Sequence, residues 1–102
     1  MRVLFKEPGK EWHTMVIPKE LHVLQQMVGG YIQIVPKGSR RDHCVICDEE
    51  GRLKDYPYNV TIGNVPYVGN VLICGLDEDG ELCDVRESFA DVLDGSDLGV
   101  EA

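Results

Sequence analysis

Apolar and polar positions alternate in short runs along most of this chain, and two stretches change that rhythm to a helical spacing. Residues 2–6 place Val3 and Phe5 on one face of a short strand and Arg2, Leu4 and Lys6 on the other. Pro8 and Gly9 mark a turn across residues 7–10. Residues 11–17 alternate weakly as the partner strand, so the chain begins as a β-hairpin. Pro18 suits the first turn of a helix, where its missing N–H costs nothing. Leu21, Leu24 and Val28 recur at helical spacing, Val23 and Met27 widen the stripe, and Gly29-Gly30 ends it, one glycine being the left-handed cap.

Further along, residues 31–35 are rich in β-formers. Residues 36–41 make a basic loop full of breakers. Residues 43–48 are almost wholly apolar, the pattern of a strand buried on both faces. Residues 48–51 read as a hairpin turn with Gly51 at positive φ, and 52–54 as a short strand or extended arm. Pro57, Gly63, Asn64 and Pro66 make 55–66 a loop with room for one helical turn. Residues 68–75 read as a central strand, 76–80 as a turn, and 81–84 as a strand pairing back. Asp84 with Glu87 forms a capping box for a second helix, striped by Phe89, Val92 and Leu93 and ended by Gly95. The expected class is α+β: a mainly antiparallel sheet of about five to seven short strands with two peripheral helices. Residues 1–95 form one domain in this reading, and 96–102 an acidic flexible tail.

At 102 residues and 43% hydrophobic, the chain builds a single modest core. Charge is distributed unevenly. Residues 77–102 hold ten acids and one base, Arg86, a net −9 against −8 for the whole chain, which leaves +1 on residues 1–76. Such asymmetry bears on partners, and it opposes direct binding to nucleic acid. No apolar run approaches the roughly 20 residues that span a bilayer. The first residues are too few and too soon charged for a secretory signal. The expectation is therefore a cytoplasmic protein without a membrane anchor, with its four cysteines reduced.

Those cysteines are the first chemistry to weigh. Cys44 and Cys47 have the C-x-x-C spacing of a zinc knuckle or redox pair, His43 is adjacent, and Cys74 and Cys83 can complete four ligands. The intervening Val45-Ile46 favours a strand, however, in which positions three apart point to opposite faces. Buried structural thiols are the better reading, and no metal or cofactor is expected. Residues 77–81 lack the register of a calcium loop. The acid pairs Glu49-Glu50 and Glu78-Asp79 sit at turn tips, where water keeps carboxylates ordinary. His13, His22 and His43 are scattered, and neither a phosphate loop nor a nucleophile elbow is present. No catalytic set is legible, so the chain reads as a non-enzyme.

Lys37, Arg40 and Arg41 form a basic cluster, with Arg52 and Lys54 in reach across the hairpin; such a cluster can hold a phosphate or an acidic partner. Tyr56, Tyr58 and Tyr67 flank Asn59, and tyrosines suit binding surfaces and lids over a sheet alike. Arg40, Arg41, Tyr56, Tyr58 and Asn59 are the candidate ligand- or partner-binding residues.

Four segments taken in order carry a resemblance: residues 28–32 (VGGYI), 47–53 (CDEEGRL), 57–59 (PYN) and 68–71 (VGNV). Together they resemble the uncharacterised family catalogued as domain of unknown function 3846, over residues 2–85. The resemblance implies a phage or mobile-element accessory protein, of a kind found in phages, plasmids and Firmicutes, and it brings no activity, cofactor or catalytic residue. In that family an asparagine is common where this chain has Asp48, which weighs against a special role for that side chain. Its recurrent positions Gly30, Gly51, Asn59 and Gly69 are types that fit turns, and the Asn59 amide either braces the loop or touches a ligand. The leading expectation is a non-catalytic module that binds a host protein partner, its acidic end against a basic host surface. The alternative is a nucleotide-like small-ligand binder or sequesterer, and the second alternative a structural zinc-binding domain. Exposed sheet edges leave monomer and homodimer both open.

Overall fold

The structure, a computed structural model, describes residues 1–37 and 42–86. They run as β1 (Arg2–Lys6), β2 (His13–Val16), α1 (Leu21–Val28), β3 (Ile32–Lys37), β4 (His43–Asp48), β5 (Tyr58–Ile62), β6 (Val65–Val68), β7 (Val71–Leu76) and β8 (Leu82–Cys83). Every strand pairing is antiparallel. Six strands form one sheet in the order β2-β1-β7-β4-β3, with β8 also on β7, while β5 and β6 form a separate two-stranded ribbon.

Three layers result. On one face of the large sheet Val3, Phe5, Cys44, Ile46, Leu72 and Cys74 pack with Leu24 and Val28 of α1. On the other face Leu4, Val45, Val71 and Ile73 pack with Val60, Ile62 and Tyr67 of the ribbon. The middle strands β1, β7 and β4 are thus covered on both sides, which is why β4 is an unbroken apolar run. Trp12, buried to 1% exposure, closes the ribbon-side cluster together with Val85.

The helix falls where its stripe places it, with Gly29 (φ 95°) as the left-handed cap. Leu21, however, is exposed, so the buried stripe narrows to Leu24 and Val28. Residues 84–86 are not helical, and the rest of the expected second helix, like the 96–102 tail, lies outside the described residues. Among the described residues the fold holds eight strands and one helix.

The sequence reading differs most over 55–66, which contains a hairpin rather than a loop. Gly63 (φ 56°) and Asn64 (φ 66°) are both left-handed, the signature of a two-residue primed turn. The two residues taken as breakers are the ones that allow the reversal. Pro66 is tolerated opposite Thr61 because both strands of a lone ribbon are edges. Residues 52–54 form tight turns instead of a strand, with Lys54 N–H donating to the Glu50 carbonyl and Asp55 N–H to that of Arg52. Positive φ there belongs to Asp55 (57°) and not to Gly51.

Ile73 lies at the centre of the sheet with no exposure. Ile73→Ala should cost about 2–5 kcal/mol through lost burial and a cavity, read by urea unfolding.

Candidate functional site

Asn59 occupies a β-bulge. Tyr58 pairs with Val68 and Val60 with Tyr67, so one extra residue stands in β5 between them. The bulge turns the Asn59 side chain inward, where it is buried beside the equally buried Lys6 of β1. The Lys6 ammonium donates to Asn59 Oδ1 at 2.7 Å and to the Asn59 carbonyl at 3.4 Å. In return Asn59 Nδ2 donates to the carbonyls of Lys6 (2.8 Å) and Gly69 (2.7 Å). Both amide hydrogens and the amide oxygen are committed, so this side chain braces the ribbon against the sheet.

A second bracket gathers the segments 28–32, 47–53 and 68–71. The Asp48 side chain is 1% exposed, and Lys54 Nζ lies 2.8 Å from its Oδ2. Its Oδ1 accepts the Glu50 amide at 2.8 Å. Lys54 also donates to the Gly29 carbonyl at 3.1 Å. Burial works to raise the Asp48 pKa, but hydrogen bonds from Lys54, the Glu50 amide and Tyr56 outweigh it and hold the carboxyl below its ordinary value. A side chain on Gly30 would run into this pair, since its Cβ would stand 2.5 Å from Lys54 Nζ. The Tyr56 ring lies against Gly69, whose φ of 71° and lack of Cβ both matter: a Cβ would meet the ring at 2.5 Å. Asn70 Nδ2 completes the bracket with a 2.8 Å bond to the Met27 carbonyl. With Lys54 on one oxygen and the Glu50 amide on the other, the carboxylate ties the end of β4 to the turn that follows it.

The candidate residues therefore do not share a cavity. Tyr56 faces the glycines, Asn59 faces Lys6, and Tyr58 is exposed with its hydroxyl 2.8 Å from Thr61 Oγ1. Arg40 and Arg41 lie outside the described residues.

The structure adds a cleft of about 340 Å³ that sequence reasoning missed, between the β3–β4 side of the sheet, the 51–53 turn and β6. Val35 and Cys47 form its sheet wall with the Tyr67 ring, Leu53 and Val65 its apolar rim, and Arg52 brings a charged group. Leu53 is 83% exposed and Val65 40%. The Tyr67 hydroxyl is buried without a hydrogen-bond partner, and Lys37 Nζ stands 5.8 Å from the ring centroid. Burial, with the neighbouring Cys47, pushes the Tyr67 pKa up; burial and the Asp48 charge push the Cys47 thiol up, so it stays protonated. Arg52 donates one bond, to the Pro66 carbonyl at 3.1 Å. The signal available in the sequence was Leu53, an apolar residue in an otherwise polar turn. A second, mainly apolar hollow of about 280 Å³ lies beside Met27, Tyr56 and Pro57.

Cys44 and Cys47 point to opposite faces, one in the helix-side cluster and one in the ribbon-side cluster. Cys44 instead stands directly across from Cys74. Donation to the Cys44 sulfur, followed by burial, pushes the Cys74 thiol far up. Among the described residues no three metal-ligating side chains converge, and no helix is long and apolar enough to cross a membrane.

Compared with known proteins, residues 1–94 match a family model described as "Domain of unknown function (DUF3846)". No curated protein and no solved structure matches.

Asn59→Ala should cost about 3 kcal/mol in urea unfolding, because a buried ammonium loses its acceptor. Asn59→Asp should destabilise too, since a carboxylate cannot donate to the Lys6 and Gly69 carbonyls; unchanged stability in both variants would refute the bracing role. Asp48 has a folded pKa below its unfolded one, so its contribution is complete above about pH 4 and is lost as pH falls through the folded value. Asp48→Asn should lower stability at neutral pH and flatten the acid limb of a pH series. Some slope will remain from Asp42, which a hydrogen bond from His43, together with the Arg86 charge, also holds low against burial.

Proposed function

The chain belongs to the family described as domain of unknown function DUF3846, and on that premise we propose that it is a non-catalytic accessory module of a phage or mobile element that binds a host protein partner through the cleft beside β6. The observation that carries this reading is the cleft's rim. Leu53 and Val65 present apolar surface to solvent at the rim of a ready-made groove, next to β3, one of the two edge strands of the sheet. Two side chains of the cleft wall are already engaged: Asp48 is held by Lys54 and the Glu50 amide, and the Cys47 thiol is held protonated. The occupant best suited to such a groove is a segment of a partner that lays an apolar side chain between Leu53 and Val65.

The other sequence readings draw less support. A nucleotide-like ligand was expected to meet Arg40, Arg41, Asn59 and the tyrosines together, whereas Asn59 and Tyr56 are used in separate brackets. A zinc knuckle requires both sulfurs of the C-x-x-C pair on one side, and these diverge across β4. Contact through the acidic end of the chain involves residues outside the described ones.

Affinity capture from bacterial host lysate with the full chain as bait tests the reading. Leu53→Asp with Val65→Asp should abolish capture of the partner while leaving the unfolding midpoint nearly unchanged, as both side chains are on the surface. Neutralising Asp91, Asp94 and Asp97 to asparagine should leave capture intact. The reverse result would move the contact from the cleft to the acidic end. Deleting from residue 85 onward is unsuitable for this purpose, because Val85 is a core residue whose N–H donates to the Arg2 carbonyl and whose carbonyl accepts from the Arg2 guanidinium.

A further inference from the structure

We infer that two copies of this chain join through β3, antiparallel about a twofold axis at Gln33, so that two six-stranded sheets become one continuous sheet. The contact is independent of what fills the cleft. No described strand pairs with the outer side of β3. The phase of its ladder with β4 decides which groups point there. Glu49 N–H donates to the carbonyl of Tyr31, the residue that leads into β3, at 2.8 Å. In an antiparallel ladder the inward bonds fall on every second residue, so Gln33, Val35 and Lys37 also bond to β4. Ile32 and Ile34 then aim both N–H and C=O outward. Pro36 has the same phase, which is why a proline fits within this strand: the N–H it lacks would face away from β4.

The outward groups complement a copy of themselves. With the axis at Gln33, Ile32 of each copy faces Ile34 of the other, and each both donates to and accepts from its opposite number. That register leaves Pro36 beyond the paired residues. Centring on Ile34 would set Pro36 against Ile32 and forfeit donors. Centring on Ile32 would call on the Gly30 N–H, which already donates to the Gln25 carbonyl. Ile32 and Ile34 share the α1 face of the sheet with Ile46, so their side chains extend that cluster across the axis. Natural sheet edges are commonly blunted by charge, yet residues 31–36 (YIQIVP) carry none. Exposed apolar side chains also gather here and not at β2, the opposite edge. Tyr31 is 69% and Ile34 43% exposed, and Leu53 and Val65 stand across the cleft that Gln33 and Val35 line, whereas β2 shows Val16.

Sedimentation equilibrium of the full chain from about 10 µM to about 1 mM tests this, since so short an edge contact gives a Kd on the order of 0.1 mM. The mean mass should rise from one chain towards two. Amide exchange followed by NMR should show Ile32 and Ile34 slowing as concentration rises, with Gln33 and Val35 protected throughout. Ile34→Pro removes an outward N–H and no bond to β4, so it should fold, as Pro36 allows, and raise the Kd more than about tenfold. If that variant fails to fold, Ile34→Lys carries the same test by placing a charge on the edge. Val16→Lys, on β2, should leave the dimer intact. A single-chain mass at about 1 mM overturns the inference, as does dissociation by Val16→Lys and not by Ile34→Lys. A monomer whose host capture is lost in Ile34→Pro gives the edge to a partner strand instead of a second copy. A monomer in which Ile32 and Ile34 are protected at every concentration gives it to the chain's own residues outside 1–37 and 42–86. The cleft is judged separately, by capture with the Leu53 and Val65 variant.

Discussion

A buried lysine held by a single amide joins the two sheets of this fold. Lys6 sits on a strand covered from both sides, and its ammonium has Asn59, through side-chain and main-chain oxygens, as its partner. Removing an ammonium from water is tolerable only where acceptors are fixed in advance. The bulge in β5 supplies that fixity, because it turns one residue of the ribbon out of register and into the sheet. The ribbon's position follows from this contact, and with it the far wall of the cleft. One polar contact set inside an apolar interface registers the ribbon against the sheet.

The second bracket secures the same open end of the ribbon from the other side of Gly69. Asp48 ends β4, and its carboxylate gathers Lys54 and the turn that follows, while Tyr56 lies in the space left by Gly69. Three of the four segments that gave the chain its family likeness meet here and the fourth supplies Asn59, so the likeness is first of all a likeness of scaffold. Asp48 ionises in a site where an asparagine could accept the Glu50 amide as well, though without an ion pair for Lys54. What the brackets hold in place is the 51–53 turn, which carries Leu53 and Arg52 to the edge of the cleft.

Much of the architecture was legible because burial on two faces leaves a plain mark. The apolar run from Cys44 to Cys47 favoured a central strand, in which its sulfurs diverge, over a turn that would bring them together. Gly29 announced the helix end through the one conformation that ends a helix cheaply. The ribbon was not legible, because Gly63 and Asn64 serve equally as loop breakers and as a primed turn, and only the pairing of Val60 and Ile62 with Tyr67 and Val65 decides between them. Asn59 was recognised as a residue to test, but its role depends on an extra residue in a strand, which no spacing rule reveals. The cleft was hidden for a related reason. Arg52 and Tyr67 are 15 positions apart, and tertiary structure alone sets them along one groove.

The strand order has a consequence for how the chain comes together. Next to β1 on its inner side lies β7, so Leu4 finds its neighbour Ile73 only after most of the sequence between them is in place. Until then the β1–β2 and β3–β4 hairpins are separate ribbons, each with an unpaired edge meant for β7, and isolated hairpins are marginal in water. The fold is keyed by a late middle piece, and long-range pairing of this kind closes more slowly than a sheet of sequential neighbours. During synthesis the interval before β7 emerges is when the chain is most exposed to misassociation through those unfilled edges.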